Sequence, residues 1–98
     1  MRLTSEEVSA IKAAAIEVFG ENVVVRLFGS RVDDSKRGGD VDLHVELDDR
    51  RQRGQHDGRF MNMLWQAIGE REIDVVYAVR GDRLTSIDRK AIEQGIAL

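Results

Sequence analysis

VVVRLFGSRVDDSKRGGDVDLHVEL, residues Val23–Leu47 of this 98-residue chain, reads as two strands joined by a polar loop that contains glycine. Val23–Phe28 is apolar apart from Arg26 and runs straight into Gly29-Ser30. A run that is apolar on both faces predicts a central strand, covered on both sides. Asp40–Leu47 alternates strictly. Asp40, Asp42, His44 and Glu46 share one face, and Val41, Leu43, Val45 and Leu47 share the other. Two carboxylates two residues apart on a strand repel each other unless something positive sits between them.

Upstream of this stretch, residues 4–19 form a predicted helix. Thr4 and Glu7 have the spacing of a capping box, and Leu3 and Val8 that of a hydrophobic staple. Val8, Ile11, Ala15, Val18 and Phe19 make one apolar stripe, and Gly20 stops it. Inside the loop, Arg31–Ser35 has room for one helical turn before Gly38-Gly39. Downstream, RRQRGQHDG at 50–58 is ambiguous, because Gly54 and Gly58 weaken a helix. From Phe60 the pattern is helical. Phe60, Met61, Leu64, Ala67 and Ile68 face inward, Met63 and Trp65 broaden that face, and Gly69 ends the helix. EIDVVYAV at 72–79 is a third strand, with Asp74, Val76 and Ala78 on one face and Ile73, Val75, Tyr77 and Val79 on the other. A last helix over Leu84–Glu93 turns Leu84, Ile87, Ala91 and Ile92 inward and stops at Gly95.

The predicted order is therefore α-β-β-α-β-α. It belongs to an α/β (α+β) domain spanning residues 1–98, with a small mixed or antiparallel sheet and helices packed on it. The chain shows no repeat, linker or low-complexity tract. Strand order is not legible in the pattern.

Composition narrows the function classes. The chain is 42% hydrophobic and 34% charged, with a formal charge of −3, which gives no basic footprint for nucleic acid. There is no cysteine, so disulfide and thiolate chemistry are excluded. No apolar run approaches the roughly 20 residues that span a bilayer. MRLTSEEVSA lacks the pattern of a secretory signal. The expected setting is cytoplasmic, without membrane or nucleic acid. A domain of this size has little room for a large acceptor, so a partner chain, in a homo- or hetero-oligomer, is expected to supply part of the site.

Asp40, Asp42 and Asp74 all fall in strand patterns. If the third strand lies beside the second in register, the three carboxylates converge. Hard oxygen ligands suit Mg²⁺, which completes its shell with water and substrate phosphates, so a nucleoside triphosphate is the natural substrate. Gly29 lets the backbone approach a phosphate closely. Ser30 adds a hydroxyl at the start of a possible helical turn, and Arg31 adds a charge-assisted contact.

Gly29-Ser30, nine residues, Asp40-Val41-Asp42, and a later strand carrying Asp74 together resemble the signature of the DNA polymerase beta nucleotidyltransferase superfamily. At this length the chain looks most like the minimal nucleotidyltransferases, single-domain proteins often encoded beside a helical HEPN partner. The resemblance covers nearly the whole chain, including the leading helix and the closing IDRKAIEQGIAL. Two departures fall in the loop: one residue fewer than the usual spacing, and Gly38-Gly39 before Asp40. The resemblance implies a polymerase-beta-like fold. Gly29 and Ser30, with Arg31 beside them, would hold the triphosphate of ATP. Asp40, Asp42 and Asp74 would bind two Mg²⁺ ions, and Asp74 would also serve as base. It further implies in-line transfer of AMP, with release of pyrophosphate, to a hydroxyl of a HEPN-type toxin, this chain being the antitoxin.

Plainer readings stand beside these. Asp40 and Asp42 can be the wet side of a half-exposed strand, Asp74 a turn-adjacent surface residue and Ser30 a helix cap. Asp33 and Asp34 read as solvated loop charges, Glu46 as a strand-end surface group, and His44 as a structural residue under a helix. Arg50, Arg51, Arg53 and Arg59 read as a solvated face, and Met61, Met63 and Trp65 as core. At the level of function, the alternatives are a non-catalytic module that neutralises a helical partner and, ranked lower, a small-molecule nucleotidyltransferase.

Overall fold

The computed structural model describes residues 3–29, 41–49, 57–69 and 72–98. The first helix, α1 (Ser5–Phe19), starts at the expected cap. Thr4 Oγ1 accepts from the Glu7 N–H at 3.0 Å, and the Glu7 carboxylate accepts from the Thr4 N–H at 3.0 Å. Then come β1 (Val24–Phe28), β2 (Val41–Leu47), α2 (Asp57–Ile68), β3 (Ile73–Val79), α3 (Ser86–Gln94) and a two-residue strand, β4 (Ile96–Ala97). The order matches the sequence reading with one strand added at the end.

The sheet is mixed, in the order β3-β2-β1-β4. β1 is antiparallel to both β2 and β4, and β2 is parallel to β3. A parallel pair needs a crossover connection, which α2 supplies. β1 and β2 are the inner strands, which for β1 is the central position its run of apolar residues on both faces predicts.

Val41, Leu43, Val45 and Leu47 on β2 are all fully buried. They form one core with Val25 and Leu27 of β1, Ile11, Ala14, Ala15, Val18 and Phe19 of α1, and Phe60, Leu64 and Ile68 of α2. Phe19 meets Phe60 edge to face at 5.2 Å between ring centres and Tyr77 at 5.8 Å. Each contact of this kind adds roughly 0.5–1.5 kcal/mol beyond the area buried. The Tyr77 hydroxyl donates to Asp57 at 2.5 Å and so ties β3 to the first turn of α2.

The opposite face belongs to α3. His44 alternates with the core residues of β2, and its bond to Asp88 places α3 over that side. Here the pattern reading fails in detail. Leu84, Ile87 and Ile92 are 41%, 48% and 41% exposed, whereas Asp88 and Ala91 are buried. A short helix over a narrow sheet covers a stripe one side chain wide, so its flanking isoleucines stay wet. On α2, Ala67 and Trp65 are likewise exposed, while Met61 and Met63 pack partly against the core. No helix among the described residues is long and apolar enough to cross a membrane.

Candidate active site

Strand register assembles the site. Asp42 of β2 stands opposite Phe28 of β1 and opposite Asp74 of β3. The two carboxylates therefore occupy one row on one face of the sheet, with neighbouring strands about 4.8 Å apart. Asp42 is half-buried and Asp74 is exposed. Register between β2 and β3 decides this meeting, because a one-residue slip would turn Asp74 into the core.

Gly29 closes the row where β1 ends. It has φ +75°, and a Cβ built there would overlap the Asp42 carboxylate, with Asp42 Cγ 3.2 Å away. A side chain at this position would therefore be strained in its backbone and would also displace Asp42. The Asp42 carboxylate thus packs against Gly29 in the space a side chain there would take.

Asp40, Ser30 and Arg31 lie outside the described residues, as do the helical turn expected over Arg31–Ser35, Asp33, Asp34, Arg50, Arg51 and Arg53. Of the sequence-predicted site, the structure thus brings together Gly29, Asp42 and Asp74. Among the described residues, no group of three or more His, Cys, Asp or Glu side chains is placed to hold a metal. Two carboxylates on one row are what those residues contribute. Arg59 is exposed and pairs with Glu17 at 3.2 Å, as a solvated face predicts.

The next row on the same face carries Arg26, His44 and Val76. His44 is completely buried, and its Nε2 lies 2.8 Å from Asp88 Oδ1. Asp88 Oδ2 accepts from the Thr85 N–H at 2.8 Å and from its hydroxyl at 3.0 Å, completing the cap of α3. Burial alone would raise the Asp88 carboxyl. The Thr85 backbone N–H, the His44 ring and the Thr85 hydroxyl outweigh it and hold the carboxyl below its ordinary value. Among the described residues His44 Nδ1 has no hydrogen-bond partner.

The row beyond holds Val24, Glu46 and Ala78. Glu46 is not the free surface group its position suggests. Arg26 donates to it at 3.1 Å and Arg80 at 2.7 Å, and Arg80 also reaches Asp48 and the Asn22 carbonyl. Burial would raise the Glu46 carboxyl, yet the two arginines lower it. Asp88 is the residue the pattern reading missed. A polar residue three after a threonine reads as a cap, and only the fold brings His44 to it.

No protein-family model matches the chain, and no curated protein matches it.

Proposed function

We propose that this chain is a Mg²⁺-dependent nucleotidyltransferase that moves AMP from ATP to a hydroxyl on a protein. The observation that carries this reading is Asp42 paired in register with Asp74 beside Gly29, whose bare Cα lies against the Asp42 carboxylate. Two carboxylates suit Mg²⁺, which is commonly held by one or two of them together with waters and substrate phosphates. Asp42 and Asp74, with Asp40, would hold the metal. Bound there, Mg²⁺ supplies neutralisation of the charge on the transferring phosphoryl group.

The chain's own groups do the rest. Gly29, with Ser30 and Arg31, binds the triphosphate where no Cβ blocks its approach. Asp42, seated against Gly29, keeps the phosphate side of the row fixed. Asp74, open to solvent on the outer strand, accepts the proton of the attacking hydroxyl. The acceptor oxygen bonds to the α-phosphorus as the bond to the bridging α–β oxygen breaks, and pyrophosphate leaves. The resemblance to the minimal nucleotidyltransferases supports AMP as the group moved and a helical HEPN-type partner as acceptor. The setting would be a cytoplasmic toxin–antitoxin pair with this chain as the antitoxin.

The exposed Leu84, Ile87 and Ile92 favour a second reading, a non-catalytic module that neutralises a helical partner by binding it. Isothermal titration with ATP, with and without Mg²⁺, tests the first. The wild-type chain is expected to bind ATP only with the metal, and the double variant Asp42→Asn, Asp74→Asn is expected not to bind. Equal binding by the variant would sink the enzyme reading. Incubation with the partner and labelled ATP separates the two: label on the partner marks the enzyme, and a tight unlabelled complex marks the module.

A further inference from the structure

We infer that the cleft between β3 and the N-terminus of α3 is the acceptor subsite, taking a hydroxyl-bearing side chain with an apolar body from the acceptor protein. This rests on the nucleotidyltransferase reading and adds to it where the acceptor enters. The cleft has a volume of about 210 Å³ and is lined by Val76 and Ala78 on the strand and by Arg83, Leu84, Thr85 and Asp88 on the far wall. Val76 follows Asp74 on the same face, two residues or about 7 Å along the strand. A side chain lying over Val76 therefore brings its end to Asp74.

Three features select this occupant. The cleft is smaller than the roughly 300–1,000 Å³ of pockets that enclose a whole drug-sized ligand, so it takes one side chain rather than a nucleotide. Its floor, Val76 and Ala78, and the wall residue Leu84 are apolar, which suits the body of a side chain. Position decides the rest. Gly29, Asp42 and Asp74 run in that order across the sheet from β1 to β3. In-line displacement puts the entering and leaving oxygens on opposite sides of the phosphorus. With the triphosphate at Gly29, the acceptor enters from the side of β3, the strand that floors the cleft.

Backbone amide NMR tests this with N-acetyltyrosinamide as the probe, in the presence of Mg²⁺ and a non-hydrolysable ATP analogue. The probe is expected to shift Val76, Ala78, Leu84 and Thr85, and the analogue to shift Gly29 and Asp42. Val76→Phe, which fills the end of the cleft nearest Asp74, is expected to weaken the probe at least about tenfold while leaving the analogue unchanged. Ala78→Leu is a milder second variant expected to act in the same direction, and a folded amide spectrum qualifies each. The proposal is overturned if the probe shifts other residues or none at millimolar concentration. It is also overturned if both folded variants bind the probe normally, or if they weaken the analogue instead, since the cleft would then hold the base. Failure of the analogue to shift Gly29 and Asp42 would count against the nucleotidyltransferase reading, while the probe still reports on the cleft.

Discussion

Replacing Asp74 by Asn is expected to stabilise the metal-free protein and to abolish its response to Mg²⁺. Asp74 stands directly opposite Asp42, which places the strand positions that carry the two carboxylates about 5 Å apart. Two unit charges at that distance repel by about 3 kcal/mol at an effective dielectric of about 20, and by about 0.8 kcal/mol in water. Asp74 is exposed and Asp42 half-buried, so the value lies near the lower end, about 1 kcal/mol. Asparagine keeps the shape and removes the charge. In a domain of this size about 1 kcal/mol corresponds to about 4–8 °C in Tm. Scanning calorimetry at neutral pH and low salt, with a chelator and then with millimolar Mg²⁺, reads both effects. Without metal the variant is expected to melt higher, and added salt is expected to narrow the difference. With Mg²⁺ the wild-type chain is expected to gain stability and the variant to stay put. A variant that melts below wild type without metal, or equal Mg²⁺ shifts in both, would refute the shared metal site.

Other expectations follow from the same geometry. Gly29→Ala forces a Cβ into the Asp42 carboxylate at φ +75°, costing about 1–3 kcal/mol and removing the Mg²⁺-induced rise in Tm, both measured by thermal melts with and without metal. Asp88→Ala strips both His44 Nε2 and the Thr85 N–H of their carboxylate partner, a loss of about 3 kcal/mol measurable from urea unfolding. Because the folded Asp88 carboxyl sits below its ordinary value, its stabilisation is complete above about pH 4 and fades as pH falls through the folded value. Urea midpoints measured down an acid series should therefore fall less steeply in Asp88→Asn.

Local signals carried most of the fold. The cap at Thr4, the stop after Phe19, the alternation of β2 and the two faces of β3 depend on neighbours a few residues apart, so the pattern displays them. β4 escaped because two residues carry no period. Ile96 and Ala97 pair with β1 since α3 delivers them there, with Gly95 close against the Leu27 carbonyl. α3 misled because periodicity sorts apolar from polar and knows nothing of the width of sheet beneath. Asp88 points inward since His44, 44 residues earlier, waits there. In the site, the spacing of Asp40 and Asp42 placed them on one face, but the meeting of Asp42 with Asp74 depends on a parallel register that no local pattern encodes.

The thin attachment of the C-terminal segment bears on how the molecule breathes. α3 and β4 are held by a one-residue-wide buried stripe, the His44–Asp88 bond and a few backbone bonds, including Leu98 N–H to the Val25 carbonyl at 2.9 Å. α1, α2 and the inner strands share the large core on the other face. The chain should therefore divide into two cooperative units of unequal free energy. Amide protons of residues 86–98 should exchange through subglobal opening, well before those of β2, which wait for global unfolding. Each such opening would bare His44 and the α3 wall of the cleft while leaving Asp42 and Asp74 in register, so the face could be remade around an incoming chain without melting the sheet that carries it.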